Sequence, residues 1–374
     1  MRIIGIVAEF NPFHNGHKYI IDTVKNPDDC VIAVMSGNFV QRGDVAVFDK
    51  FTRANAALLN GVDMVVELPI YAALSTAQKF AECAVKTLVQ SGITHLAFGS
   101  ESGDISVLKS AADAIDDDRV QDLLREFLDN GVTYARARID AVREVFGDKI
   151  ADVLSNPNDI LAVEYIRSLP SDIEPIAVKR IGVSHDGMAN GDFASAMKIR
   201  EMIFGNLDYY SYVPNNVYDL YKSKTPANIK NAETAIVWQL KNLESDDFLS
   251  YDVSEGLHHR IYSAIQNNIA LDDIESAIKT KRYTLARIRR ILLSAALDVN
   301  CRPCPYIRVI GFNENGSRLM NGIKKPVVTS YKTAKNLGFD EYYEIDAKIS
   351  DFFALCCKPF DNYNELTTQV LKII

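Results

Sequence analysis

Two histidines stand three positions apart, His14 and His17, with Gly16 between them, directly after the apolar run IIGIVAEF that opens the chain. Residues at i and i+3 share one face of a helix. The first turn of a helix carries unpaired N–H groups and a partial positive charge, which together attract phosphate. Imidazoles placed there can donate to phosphate oxygens and stabilise the charge that builds as pyrophosphate leaves. Gly16 has no Cβ, so a base or ribose can approach the backbone. A bare HxxH is more often a surface pair capping a helix. Its position after a first strand, with glycine inside it, points to a nucleotide.

Other residues can do chemistry nearby. In the run SGNFVQRG, Ser36, Gly37, Asn38, Gln41 and Arg42 combine close backbone approach with hydrogen-bond donors, suited to a carboxylate substrate or a target base. Lys50 and Arg53 follow it, although a solvated helix face explains them equally well. Glu67 and Glu101 end two apolar runs and could hold Mg²⁺ through water. Farther on, Lys279 to Arg290 holds six basic residues and no acid, in a chain of net charge −8. Leu285, Ile288 and Leu292 keep helical spacing there. One face can therefore pack while Lys281, Arg282, Arg287, Arg289 and Arg290 meet RNA phosphates. Tyr283 is placed to stack on an unpaired base. Cys301 and Cys304 have the spacing of half a zinc site, but the nearest histidines, His258 and His259, are adjacent and diverge. No metal site is expected.

These residues need elements to position them. Apolar runs at IIGIVAEF, CVIAVMSG, VDMVVELP and THLAFGSE alternate with helical patterns, and IEPIAVKRIG returns to a strand. Such alternation predicts a parallel sheet with right-handed crossovers and ligands beyond its carboxyl ends. The expected class is α/β: a doubly wound parallel-sheet domain over residues 1–205, a mainly helical region over 206–300, and a small α/β part over 301–374. A length of 374 residues exceeds what one core usually organises, which agrees with that division. Residues 104–150 read as helical, YIRVIGF and PVVTSY as short strands, and DAKISDFFALCC and NELTTQVLKII as closing helices. The acidic balance argues against a protein coated with nucleic acid, though not against a local basic footprint. No run is long enough to span a bilayer and no leader is recognisable. Six sparse cysteines suit a reduced, cytoplasmic protein.

HNGH resembles the HxGH motif of the HIGH-type nucleotidyltransferase superfamily, which attacks the α-phosphate of ATP from a doubly wound α/β domain. FASAMKIR resembles that superfamily's second motif, with Ser195 as helix cap, Lys198 and Arg200 reaching phosphates, and Met197 near the usual second hydroxyl. In order along the chain, GIVAEFNPFHNGH, AVMSGNFVQRGDVAVFDKFTRANAAL, DMVVELP, FGSE, SNPNDILAVEY and KRIGVSHD are similar to the bacterial tRNA(Met) cytidine acetate ligase family, and YIRVIGF continues the likeness. The resemblance implies two steps. Acetate and ATP, with Mg²⁺, give acetyl-adenylate and pyrophosphate. The acetyl group then passes to N4 of the wobble cytidine of elongator tRNA(Met), releasing AMP. It implies ATP contacts at Val7, Ala8, Glu9, Phe10, Asn11, Pro12, Phe13, His14, Asn15, Gly16, His17, Lys18, Tyr19, Ile20, Gly99, Asn158 and Arg180, and implies no protein partner. An adenylyltransferase acting on a small cofactor precursor would explain HxGH equally well, but needs neither the helical region nor the basic segment.

Overall fold

The computed structural model describes residues 1–181, 191–254, 256–299, 301–360 and 364–373. Its main sheet contains strands β1 (Ile3–Ala8), β2 (Cys30–Ser36), β5 (Met64–Leu68), β6 (His95–Ser100), β7 (Glu174–Lys179), β8 (Ile307–Phe312), β9 (Val327–Val328) and β10 (Leu371–Lys372). A two-stranded hairpin, β3 (Phe39–Val40) with β4 (Asp44–Val45), stands apart. The order is β10-β8-β5-β2-β1-β6-β7, with β9 beside β8. Strands β5, β2, β1, β6 and β7 run parallel. Every residue of β2 is buried, as expected for a strand covered on both faces.

Alternation along β1 sorts its side chains between two cores. Ile4, Ile6 and Ala8 join a core with Ile21 and Val24 of helix α1 (Asn15–Val24), with helix α2 (Lys50–Leu58), and with Ile199 and Ile203 of a later helix. Ile3 and Val7 pack on the opposite core, with helix α3 (Ala77–Gln90) and helix α4 (Pro157–Arg167). The chain leaves β1 toward β2 and β5, then crosses to β6 and β7 on the other flank. The carboxyl end of β1 is therefore a topological switch point, where such sheets take ligands. This is the α/β architecture that the alternating runs predicted.

Residues 104–150 form helices Ile105–Ile115, Asp118–Asp129 and Tyr134–Phe146. The second motif opens helix α5 (Ala196–Phe204), and the basic segment leads into helix α6 (Leu285–Ala296). The helical region shares a core with Phe39, Val45 and Leu74 and with Phe353, Cys356 and Cys357. Among the described residues, the last part of the chain adds its strands to the main sheet: β8 pairs antiparallel with β5, and β10 pairs with β8. NELTTQVLKII closes the chain with a short strand, where its apolar residues predicted a helix. Leu371 and Lys372 pair with Gly311 and Phe312 on β8, a partner that local spacing does not reveal.

A buried charge network fastens the two ends of the chain. Lys50 Nζ lies 2.7 Å from Glu67 and 2.8 Å from Glu365, and Arg308 meets Glu365 at 3.1 Å and the Tyr343 hydroxyl. Among the described residues no helix is long and apolar enough to cross a membrane.

Candidate active site

His14 is the N-cap of α1, and both histidines are spent on capping it. The Gly16 N–H donates to His14 Nδ1 at 3.0 Å, and the His14 N–H donates to His17 Nδ1 at 3.2 Å. With Nδ1 accepting in each ring, the proton of each neutral imidazole sits on Nε2. The rings stack at 3.8 Å between centroids, so the two neutral imidazoles stand together at the head of the helix. Burial holds both rings neutral. It pushes His14 down to about 3, with the Arg180 and Arg200 guanidiniums adding to the effect. His17 is held well below its usual range by burial, then by His14 and Arg180. The site is a neutral double donor flanked by two permanent cations.

Gly16 has a different reason from the one its sequence position suggests. A Cβ there would lie 2.8 Å from His14 Cε1 and 3.0 Å from His14 Nδ1. The glycine makes room for the capping imidazole.

The loop carrying the histidines is bolted from several sides. Phe10 adopts a positive φ of 45°, the Phe13 N–H donates to the Tyr221 hydroxyl at 2.9 Å, and Arg200 donates to the Asn11 carbonyl. The Asn11 side chain accepts from the Val47 N–H at 2.8 Å. Asn15 donates to the carbonyls of Asp192 and Ser211, both at 2.9 Å, so its amide ties the loop to the segment before α5. Arg53, with none of its surface exposed, donates to the carbonyls of Glu9, Ser36, Gly37 and Phe48. It is no solvated residue; it holds the ends of β1 and β2 together. Arg53 and Tyr221 act here without any local signal beyond an arginine set among alanines.

On the other side of the crevice, Ile20 of α1 and Arg180 crowd Gly99, where a Cβ would sit 3.1 Å from Ile20 Cδ1. The Arg180 N–H donates to the Ser100 carbonyl at 2.9 Å, continuing the β6–β7 pairing. Asn158 donates to Glu101, and Glu101 also accepts from the Asp159 N–H at 2.9 Å. Asp159, fully buried, accepts from Ser100, Glu101, Ser102 and Asn156. The loop after β6 and the start of α4 thus form one locked unit, in which Asn158 is held by Glu101. The weight of this unit falls on Asp159, which Pro157 and Asn158 overshadow in the sequence. Residues 182–186 of KRIGVSHD lie outside the described residues.

At the second motif, Ser195 caps α5 by accepting from the Lys198 N–H at 3.1 Å. Arg200 faces the histidine loop, while Lys198 is exposed and pairs with Glu201 at 3.2 Å. Lys18 likewise points outward, to Asp22 at 2.9 Å, and Tyr19 meets the Phe193 ring edge-on.

The loop after β2 is largely architectural. Asn38 is buried, accepting from the Lys50 N–H and donating to the Ser350 carbonyl. Gly37 gives way to Glu67, whose Oε1 would stand 2.4 Å from a Cβ there, and Ser36 is buried. The Gln41 N–H donates to Glu9 Oε1 at 2.7 Å. Arg42 alone of the five polar and glycine positions stands exposed. Glu67 and Glu101 are engaged by Lys50 and Asn158, so neither offers a free carboxylate to Mg²⁺.

The basic segment differs most from its expectation. Arg287 donates to Asp252, Arg289 pairs with Glu275 at 2.9 Å, and Arg290 donates to the Gln41 carbonyl at 3.2 Å. Tyr283 is buried, its ring 5.6 Å from the Arg287 guanidinium, and cannot stack on a base in this arrangement. Gly43, at φ +75°, lies so close to α6 that a Cβ would come within 2.5 Å of the Arg290 nitrogen. Arg289 and Arg290 therefore brace the loop after β2, Arg287 ties α6 to Asp252, and Lys281 and Arg282 keep an exposed position before the helix. A separate cavity of about 430 Å³ opens between α3 and residues 301–307, lined by Lys79, Lys86, Lys325 and the thiols of Cys83, Cys301 and Cys304, with neither histidine in its wall.

Among the described residues no group of three His, Cys, Asp or Glu side chains is arranged to hold a metal ion. A family model described as HIGH Nucleotidyl Transferase matches residues 1–368, which sets the class that the paired imidazoles and the switch-point sheet define. A curated relative from Thermoanaerobacter sp. (strain X514), named tRNA(Met) cytidine acetate ligase, is 37% identical, with 96% of each chain covered. One of the same name from Clostridium kluyveri is 39% identical over 90% of this chain and 91% of its own. The crystal structure of Thermotoga maritima TmcAL bound with alpha-thio ATP superposes with a TM-score of 0.90 at 31% identity, covering 100% of both chains, and its apo form gives 0.91. The chain belongs to the tRNA(Met) cytidine acetate ligase family.

Proposed function

We propose that this protein joins acetate to ATP and passes the acetyl group to N4 of the wobble cytidine of elongator tRNA(Met). The observation that carries this reading is the pair of neutral imidazoles whose Nε2–H groups are aimed by the helix cap, with Arg180 and Arg200 beside them. A carboxylate oxygen attacks the α-phosphorus and pyrophosphate leaves. The donors, fixed in advance, take up the charge on phosphate oxygens without reorganising. Neutral donors suit a site that must release pyrophosphate after the bond breaks. Mg²⁺ enters on the ATP phosphates as part of the substrate, since the nearby carboxylates are already engaged. The names of the relatives support the acetyl acceptor. Arg42 and Lys281, both exposed, are the contacts proposed for tRNA phosphates, with Arg289 and Arg290 bracing the loop that presents Arg42. A tRNA substrate supports a cytoplasmic location.

Incubation with ATP, acetate and bulk tRNA tests the reading. AMP formation that depends on acetate, with N4-acetylcytidine in the tRNA digest, is expected. Pyrophosphate release without acetate, accompanied by a nucleotidylated metabolite, would overturn it in favour of a cofactor adenylyltransferase.

A further inference from the structure

Amide formation from acetyl-adenylate releases a proton, and the histidine pair cannot take it. Each Nδ1 lone pair already accepts a backbone N–H, and each Nε2 already bears hydrogen. The acids at the ends of β5 and β6 are engaged through both oxygens: Glu67 by Lys50, Glu101 by Asn158 and the Asp159 N–H. Glu9 differs. It follows β1 at the switch point, where Tyr165 of the core that Val7 joins and Arg53 and Arg200 of the α1 side all act on its carboxylate. Its Oε1 is fixed by the Gln41 N–H at 2.7 Å, and among the described residues no hydrogen bond occupies Oε2. The side chain is half-buried.

Resting on the function proposed above, we propose that Glu9 is the general base of the acetyl-transfer step. The cytidine N4 lone pair attacks the carbonyl carbon of acetyl-adenylate while Glu9 Oε2 takes an N4 proton. The intermediate then expels AMP, the C–O electron pair passing to the phosphate oxygen, and Glu9 later returns its proton to water. The nucleotide lies against the histidines and the acceptor arrives from the Glu9 side. Burial raises the Glu9 carboxyl above its ordinary range, toward the pH at which it must work, while the Gln41 N–H, Arg53 of α2, Arg200 of α5 and Arg42 of the loop oppose that rise. The Tyr165 phenol of α4, itself held protonated by burial, also faces this carboxylate.

The test compares the intact protein with its Glu9→Gln variant in two reactions: acetate-dependent ATP–pyrophosphate exchange, and single-turnover transfer to tRNA followed from about pH 6 to 9. Transfer by the variant is expected to fall about a hundredfold or more, much further than exchange. Wild-type transfer should rise with pH through the Glu9 titration, and the variant should lack that limb. Hydroxylamine, a strong nucleophile, should still be acetylated by the variant, which shows it folded and loaded. Equal losses in exchange and transfer, or an unaltered pH limb, would overturn the role. Absence of acetate-dependent exchange in the wild type would instead overturn the function on which the role rests.

Discussion

Each imidazole at the head of α1 has two nitrogens with different tasks: Nδ1 closes the helix cap, and Nε2 carries the proton left to donate. Substitutions can separate them. His14→Ala loses both, and should cost about 1 kcal/mol of stability along with the activity. His14→Asn keeps a capping oxygen, so it should cost less than about 0.5 kcal/mol while exchange falls about a hundredfold. Denaturant unfolding and ATP–pyrophosphate exchange on the two variants check this, and an active His14→Asn enzyme would show that Nε2 is idle. The same burial sets a pH dependence. His14 titrates at about 3 when folded, against an ordinary 6.5, so between those values the unfolded chain binds a proton that the folded one refuses. Stability from this residue is complete above 6.5 and declines as pH falls below it. Nuclear magnetic resonance should find the His14 ring neutral down to about pH 5, and a ring titrating near 6.5 would contradict the burial argument.

At the scale of elements, the site exists because loops are locked in pairs: β1 with β2 by Arg53, the loop after β6 with α4 by Asp159, and the loop after β2 with α6 through Gly43. Gly43 has both a positive φ and a helix backbone against it, so Gly43→Ala should cost about 2 kcal/mol or more, measured by denaturant unfolding, and should weaken tRNA use more than exchange. How much of this was legible follows from range. The HNGH corner, the strand–helix alternation and the cap at Ser195 are local, and the sequence displays them. Arg287, Arg289 and Arg290 have helical spacing and read as a free basic face, because their partners Asp252, Glu275 and the Gln41 carbonyl lie 14 to 249 positions away. Gly16 shows the same limit in miniature: its presence is plain, but its reason is a side-chain rotamer of His14.

Over the whole molecule, one sheet joins the two ends of the chain. β8 enters antiparallel beside β5, and the Lys50–Glu67–Glu365–Arg308 network seals that junction out of water. A buried network of this kind is costly to break from one side, because the partners are left charged and unsatisfied. Glu365→Gln leaves Lys50 with Glu67 alone and takes from Arg308 its nearest carboxylate, and should cost about 3 kcal/mol or more, read by denaturant unfolding. A loss below about 0.5 kcal/mol would mean that the junction is held by packing alone. Lys50 follows the loop after β2, so the C-terminal segment steadies the catalytic crevice from behind.

The central claim, that capped imidazoles grip the triphosphate through Nε2–H, is tested most directly by the structure of this protein with a non-hydrolysable ATP analogue. Both Nε2 atoms should lie about 3 Å from phosphate oxygens, with Arg180 and Arg200 alongside. Phosphates seated elsewhere, as in the lysine-lined cavity beside Cys301, with the imidazoles making no contact, would contradict it.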